Sequence, residues 1–441
     1  MMKKLIIFFI VMGLMSCGDG FLDIKPSSST VVPTTLDDFE QLMNYGNLVY
    51  AYPDMLDVLA DDYYLEETYW LSRPTLIKNS YIWANDIYET IESDLANWER
   101  SYSQIFYSNV VLEGLEKITV TDGNKKQHNQ VHGTALFLRA WALYNLAQLY
   151  APAYNKPTAN KDPGVPIPLL SDVNEKVQRN SVEEVYARLL NDLKDAAPLV
   201  QSEVDFGRPS QAAVYALWAR VLLAMGNYEE ALIKSTSSIN AHDGLVDLNT
   251  GSLDYKKTLY MGLDGNGPFI HSNNQNIQIK SDLVITFELS DLRQSFFKLN
   301  TNGNTYYISP YKLGNYFFRG LDSDEQYLIK AECEVRLGDK DQAIATLNHL
   351  LKHVHSSYVD KVAGTKEEAL SIILQERRKQ LIFRGLRWSD LKRYNRDGAN
   401  ITLTRTLGEK TYTLSPNSPK WLFPIPVNEI KSSGIPQNLR K

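Results

Sequence analysis

The sequence AAVYALWARVLLAMGNYEEALIKSTSSI, from Ala212 to Ile239, decides the fold. Its first half is apolar on nearly every side, and Gly226 with Asn227 forms a stop between two helical segments. A helix pair of this kind cannot bury its apolar face alone, so further helices must stack on it. The stretch therefore predicts a helix-rich scaffold.

The same hairpin occurs again later in the chain, with an aromatic residue, a small residue, a glycine and an alanine at the same spacing. Each position recurs 112 residues further on (327 − 215 = 112), pairing Tyr215 with Tyr327, Ala219 with Ala331, Gly226 with Gly338, and Ala231 with Ala343. This spacing is typical of tetratricopeptide-type repeats, which need alanine where two helices touch and glycine where the turn is tight. We predict a mainly α, tetratricopeptide-like scaffold with hairpins near residues 98–150, 182–239 and 323–394.

Composition favours one large folded domain. The chain has 441 residues, of which 22% are charged and 44% hydrophobic, as expected for a globular protein. A helical stack can grow to this length because each unit contacts its neighbours alone, so we assign residues 37–441 to one helical domain. The formal charge is −6. It becomes −8 without the first sixteen residues, which carry Lys3, Lys4 and no acid, so we expect no nucleic-acid partner.

The N-terminus has the pattern of an export signal. Lys3 and Lys4 precede an apolar run from Leu5 to Met15, which is too short for a mature transmembrane helix but suits a secretory signal. The sequence Leu14-Met15-Ser16-Cys17 resembles the bacterial lipobox, in which the cysteine thiol receives the lipid. We predict a signal peptide over 1–16 and lipidation at Cys17. The alternative is an ordinary signal peptide with an unrelated cysteine, or a buried start to the fold.

Residues 17–36 are rich in Gly, Ser, Thr and Pro, which predicts a flexible tether. At about 3.3 Å per extended residue, such a tether reaches roughly 60 Å.

The second cysteine, Cys333, lies within the later repeat, where we expect a small core residue without a redox or metal role.

Two regions interrupt the helical pattern. Residues 51–97 are unusually aromatic and contain prolines, which predicts short helices and irregular structure with exposed ring faces. Residues 241–320 are rich in Gly and Asn, and the runs NIQIK, LVITFEL and TYYIS in them predict a few strands. An insertion between repeat units is where such scaffolds usually carry their specific surface.

These two regions supply the candidate ligand-binding residues. Sugar recognition needs flat aromatic faces together with planar polar groups that hydrogen-bond to hydroxyls. For each ring, packing inside a helix-rich core is the competing interpretation. The candidates are Asp61, Asp62, Tyr63, Tyr64, Tyr69, Trp70, Arg73 and Trp83 in the first region, and Tyr306, Tyr307 and Tyr311 in the second.

Signals for catalysis are poor. The chain lacks a G-x-S-x-G elbow, a P-loop, a C-x-x-C pair and an H-E-x-x-H helix. His349, His353 and His355 make a metal conceivable, but a solvated helix end is the favoured interpretation because no acid or cysteine completes a ligand set at suitable spacing. We therefore predict no enzyme activity, no cofactor and no metal site.

Several separated stretches together resemble the SusD/RagB family of outer-membrane nutrient-binding lipoproteins. They occur in family order along almost the whole chain. Gln380 and Arg384 depart from the pattern, since acids are usual there, and the chain ends Leu-Arg-Lys. The resembling pieces are Phe21-Leu22-Asp23 and Pro26 after Cys17; Trp98, Tyr102, Ile105 and Asn109; Arg139-Ala140 and Leu149-Tyr150; Gly164-Val165-Pro166-Ile167-Pro168; Gly207-Arg208-Pro209; Glu376-Arg377-Arg378; Gly385-Leu386-Arg387-Trp388; Asp390-Leu391-Lys392-Arg393; Phe423-Pro424-Ile425-Pro426; and Gln437-Asn438.

The resemblance implies four tetratricopeptide-like units, exposure on the surface of a Bacteroidetes-type outer membrane, and a SusC-like, TonB-dependent β-barrel importer as partner. The expected function is capture of an oligosaccharide outside the cell and its delivery to that importer. An oligopeptide ligand on the same scaffold, as in RagB-like proteins, is the first alternative. A helical-repeat adaptor without a small ligand is the second.

Overall fold

The computed structural model describes residues 33–49, 51–89, 95–172, 174–204, 208–251, 258–261, 263–264, 272–310 and 316–440. The predicted signal peptide, the lipidation site Cys17 and the candidate Tyr311 lie outside these ranges. Within them, every helix is too short or too polar to cross a membrane.

The structure is mainly helical, which confirms the predicted fold class. In the described ranges, short 3₁₀ helices accompany the α-helices at Leu248–Thr250, Leu292–Phe296 and Pro419–Trp421. In chain order the α-helices are α1 Leu36–Met43, α2 Gly46–Val49, α3 Met55–Val58, α4 Glu67–Leu71, α5 Thr75–Tyr81, α6 Leu95–Leu115, α7 Lys125–Tyr150, α8 Val182–Ala196, α9 Gln211–Met225, α10 Tyr228–Ala241, α11 Ser281–Val284, α12 Ser323–Leu337, α13 Lys340–Leu351, α14 Lys366–Gln380, α15 Arg387–Arg396 and α16 Val427–Ser433.

The strands are short, and those that the structure describes form three small sheets. β1 pairs with β3 in parallel, the antiparallel sheet has the order β2-β4-β6-β5, and β7 with β8 forms a hairpin in the C-terminal region. Their bounds are β1 Ala51–Tyr52, β2 Tyr63–Tyr64, β3 Leu263–Asp264, β4 Gln278–Ile279, β5 Phe297–Leu299, β6 Thr305–Tyr307, β7 Leu403–Leu407 and β8 Lys410–Leu414.

The two repeated hairpins fold alike. Gly226 ends α9 with φ 78° and Gly338 ends α12 with φ 109°, a left-handed conformation that favours glycine. The side chains of Asn227 and Asp339 then cap the next helices by accepting hydrogen bonds from the backbone. The four alanines of the pattern are fully buried, at Ala219, Ala231, Ala331 and Ala343. The repeat interpretation is thereby confirmed.

The long helices stack on their neighbours in sequence. α6 packs on α7, α7 on α8, α9 on α10, α10 on α12, and α12 on both α13 and α14. Buried ion pairs cross these contacts, including Arg220 on α9 with Glu325 on α12, whose Nε and Oε1 atoms lie 2.8 Å apart. Arg393 on α15 similarly donates to Glu332 on α12 over 2.5 and 2.8 Å. The stack is therefore joined by charges as well as by apolar packing.

Some elements differ from their sequence-based prediction. The run LVITFEL forms no strand, because Lys280 accepts backbone hydrogen bonds from Leu283 and Val284 and the chain coils into α11. Ile285 and Leu289 of that run are 80% and 101% exposed. The strands predicted in NIQIK and TYYIS are confirmed as β4 and β6. The prediction of a solvated helix end is wrong for His355. Its side chain is buried, and its Nε2 atom lies 3.7 Å from Oδ2 of Asp291.

The left-handed turn of the later repeat gives a testable prediction. The Gly338→Ala variant should lower the free energy of unfolding by about 1 kcal/mol, because an alanine is strained at positive φ. A Cβ atom at Gly338 would meet nothing within 4 Å, so the loss reports backbone strain alone. Chemical denaturation measures it. Gly338→Asn is the matched control and should lose less, since asparagine tolerates this conformation; equal losses for both variants would contradict the argument.

Candidate ligand-binding surface

The structure brings the aromatic region and the insertion together in one sheet. β2 comes from the aromatic region, whereas β4, β5 and β6 come from the insertion. In the register of this sheet, Tyr64 lies opposite Gln278, and Gln278 lies opposite Tyr306. Two segments more than 200 residues apart (278 − 64 = 214) therefore share one surface.

Polar side chains cross-link the segments at this sheet. One carboxylate oxygen of Glu66 accepts hydrogen bonds from the amides of Gln278 and Asn304, each over 3.1 Å. The amide of Asn274 donates to the Tyr69 hydroxyl over 3.2 Å. We use the name sheet surface for the exposed and half-buried residues of this array, which are Tyr64, Glu66, Tyr69, Trp70, Arg73, Asn274 and Asn304.

Two rings of the sheet surface, those of Trp70 and Tyr69, are held in place while part of each remains accessible. The indole of Trp70 donates to the Lys78 carbonyl over 3.1 Å. The guanidinium of Arg73 lies 4.2 Å from the centre of the Tyr69 ring. Burial raises the pKa of Tyr64, and the charge of Glu66 raises it further, so the hydroxyl stays protonated at neutral pH and can donate a hydrogen bond. The sheet surface thus combines fixed aromatic rings with amides, a carboxylate and a guanidinium.

Tyr63 and Trp83, although candidates from the sequence, lie in the core. Their side chains are 0% and 1% exposed, so their faces are covered by protein. Together with Tyr81 they surround the guanidinium of Arg405, which reaches in from β7. Arg405 also donates to the carbonyls of the aromatic region, at Val58, Ala60 and Tyr81. The expectation of exposed rings is therefore wrong for this part of the region.

Asp61 and Asp62 are buried as well, because they pair with arginines of the helical stack. Asp61 accepts from Nε and Nη2 of Arg387 over 2.7 and 3.1 Å, and Asp62 accepts from Nε of Arg378 over 2.8 Å. Burial alone would raise the pKa of Asp61, but the charge and hydrogen bonds of Arg387 outweigh it and hold that pKa well below its ordinary value. For Asp62, burial dominates and raises the pKa despite Arg378.

The candidates from the insertion also pack inward. Tyr306 is 8% exposed. Tyr307 lines a cavity of about 60 Å³ and lies 5.9 Å, between ring centres, from both Phe317 and Phe383. Burial raises the pKa of Tyr307 far above its ordinary value. Tyr306 lies on the same face of the sheet as Tyr64, to which the register joins it through Gln278, and Tyr307 lies on the opposite face. Tyr311 falls outside the described residues.

Sequence reasoning missed three residues of the sheet surface, Glu66, Asn274 and Asn304. The abundance of asparagine in the insertion was a signal, but it did not say which amides face the aromatic region.

Gln380 and Arg384, which replace the family's usual acids, both face Asp324, at 2.8 and 3.5 Å. Across the ranges that the structure describes, no three His, Cys, Asp or Glu side chains converge as they would around a metal ion.

Comparison with known proteins places the chain in a family. A family model described as "Starch-binding associating with outer membrane", of SusD-like type, matches residues 20–223, and a SusD family model matches residues 325–439. No curated protein matches the chain significantly. The chain belongs to the SusD/RagB family.

Solved structures share the fold. A Bacteroides vulgatus protein described as a candidate sugar-binding protein has 22% identity and a TM-score of 0.76, over 93% of this chain and 99% of that one. A SusD superfamily protein from Bacteroides thetaiotaomicron has 21% identity and a TM-score of 0.74, over 92% and 99%. A SusD-like carbohydrate-binding protein from Bacteroides vulgatus has 18% identity and a TM-score of 0.66, over 91% and 97%.

The buried position of Asp61 leads to a prediction about stability. Asp61→Asn should lower the free energy of unfolding by about 3 kcal/mol, because it leaves Arg387 buried without its carboxylate. Glu66→Gln, which changes an exposed carboxylate in the same way, should lower it by less than about 1 kcal/mol. Urea denaturation of both variants makes the comparison. If the Asp61 variant is as stable as the wild type, the residue has no anchoring role.

Proposed function

We propose that this protein is a lipid-anchored outer-membrane protein that binds an oligosaccharide at the sheet surface and delivers it to a SusC-like, TonB-dependent transporter. Its family and the descriptions of its structural relatives support the class of ligand and the location. The observation that carries the proposal is the sheet surface itself, where half-buried rings of Tyr64, Tyr69 and Trp70 stand among amides and charged groups.

The chemistry of the sheet surface suits a sugar. The C–H face of a pyranose packs against an aromatic ring, and its hydroxyls need planar groups that donate and accept hydrogen bonds. Trp70 and Tyr69 offer rings, Asn274 and Asn304 offer amides, and Glu66 accepts hydrogen bonds. Because the rings are already fixed by Lys78 and Arg73, little side-chain entropy is lost when a ligand binds.

Anchoring and release complete the proposal. Residues 1–16 act as the signal peptide, the lipid is attached at Cys17, and residues 17–36 link the lipid to the helical domain. Acyl chains are retained in the membrane because each buried methylene contributes about 0.8 kcal/mol. The ligand is passed on unaltered, since the chain binds without catalysing a reaction.

Binding tests the sheet surface directly. Trp70→Ala should weaken the binding of an oligosaccharide identified on a glycan array by more than about 1 kcal/mol, roughly a fivefold rise in Kd, as is usual for an aromatic anchor. Isothermal titration calorimetry gives the value. Trp218→Ala removes a half-buried tryptophan from α9 and should leave Kd unchanged.

The controls separate the alternatives. An unchanged Kd in the Trp70 variant would exclude the sheet surface as the binding site. Binding to a peptide library without binding to the glycan array would show that the ligand is an oligopeptide. Binding to neither would favour the helical-repeat adaptor without a small ligand.

The anchor has its own prediction. Metabolic labelling with a palmitate analogue should mark the wild-type protein, and Cys17→Ala should abolish the label because the acceptor thiol is lost. Gel fluorescence after click chemistry reports it, with Cys333→Ala as the matched control that keeps its label. Label retained by the Cys17 variant would refute the lipidation site.

A further inference from the structure

A second, larger concavity lies beside the sheet, on its helical side. This groove has a volume of about 590 Å³, within the ~300–1,000 Å³ usual for ligand sites. Leu374 and Arg378 of α14 form one wall and Arg387 and Tyr394 of α15 another, while Leu283 closes it from α11. The groove is linked to the sheet through Asp61 and Asp62, which bind two of its arginines and precede β2, and through α11, which follows β4.

The arginines of the groove are held from behind by buried carboxylates. Asp61 and Asp62 bind Arg387 and Arg378, as described above, and Arg336 donates from Nε to Glu332 over 2.8 Å. The arginine side chains remain 14–19% exposed, whereas those of the three carboxylates are 12% exposed or less. Each guanidinium is thus oriented by a carboxylate, and its partly exposed side chain lines the groove.

One nitrogen of this cluster makes no hydrogen bond within the described part of the chain. Nη2 of Arg378 is buried 3.7 Å from Oδ2 of Asp61, so it is turned towards that carboxylate. At the rim, the carboxylate of Asp397 accepts from Arg396 over 2.7 Å. Arg336, Arg378 and Arg387 are paired in the same way, and the guanidinium donors that these pairs leave unused line the walls of the groove.

We propose that this groove binds the carboxylate of an acidic saccharide. Guanidinium groups fixed on one edge suit a planar oxyanion, to which they donate two parallel hydrogen bonds. Leu283, Leu374 and the Tyr394 ring provide apolar contact for the sugar face. The assignment to a saccharide rests on the proposed function, and the anion site itself rests on the three arginines.

Two forms of one ligand test the proposal. The full-length protein in detergent is titrated with trigalacturonic acid and with its methyl ester, which has the same sugars without the charges. The acid should bind about tenfold more tightly, because charge-assisted hydrogen bonds are roughly twice as strong as neutral ones. Equal affinities for the acid and the ester would overturn the proposal.

Variants locate the effect. Asp62→Asn combined with Arg378→Gln replaces the buried ion pair by two amides, so no lone charge is left in the core. This double variant should abolish the preference for the acid, whereas Lys352→Gln, which removes one exposed charge from the end of α13, should retain it. A preference that survives the double variant would place the carboxylate elsewhere.

The two proposals fail in different ways. Trp70→Ala should weaken the acid and the ester alike, since it acts on the sheet surface. If no saccharide binds, the proposed function fails, and sodium sulfate then probes the groove alone. Stabilisation of the wild type by sulfate in a thermal melt, lost in the double variant, would support an anion site; no difference between the two proteins would overturn it.

Discussion

Buried arginine–carboxylate pairs hold the irregular aromatic region against the helical stack, and the candidate surface depends on them. Arg387 and Arg378 bind Asp61 and Asp62, and Arg319 binds Asp57 of α3 over 2.5 Å. Such pairs are sensitive to the loss of one partner, since the remaining charge stays buried. The position of β2, and with it the whole sheet, therefore follows from residues on α14 and α15 that never reach the sheet surface.

Arg405 also holds the aromatic region in place. Arg405 of the β7–β8 hairpin enters a cage of Tyr63, Tyr81 and Trp83 and donates to three backbone carbonyls. A guanidinium can satisfy several acceptors at once while its faces contact rings. Val58 and Tyr81 end the short helices α3 and α5, and Ala60 follows α3, so Arg405 binds carbonyls that have no partner within those helices.

The helical repeats could be predicted because their signals are local. Gly226 and Gly338 end helices by their own backbone preference, and the alanines mark close contact within a few turns. For the sheet, β4 and β6 could be predicted, but β2 and the pairing of the strands could not, because strands of two or three residues show little periodicity and their partners are distant in sequence. Tyr63 and Tyr64 illustrate the limit. Alternate residues of a strand face opposite sides, so one ring is buried and the other is half-exposed, and nothing in the dipeptide says which.

Buried charge pairs and distant hydrogen bonds explain the other predictions from the sequence that were wrong. Asp61 and Asp62 had the right chemistry for a ligand site, but their partners lie more than 300 residues away (378 − 62 = 316). Once those partners are known, the acids are seen to orient Arg387 and Arg378, which line the groove. Glu66, Asn274 and Asn304 were overlooked for the converse reason: each is an ordinary surface residue until the fold joins the insertion to the aromatic region by hydrogen bonds.

The central claim is that two segments distant in sequence form one binding surface supported by the helical stack. Hydrogen–deuterium exchange of the full-length protein, measured with and without a bound oligosaccharide, tests it most directly. The account predicts slower exchange in residues 64–73 together with residues 272–280 and 300–307, and unchanged exchange in the repeat helices α9 and α10. Protection confined to one of the segments, or found in the repeat helices instead, would contradict it.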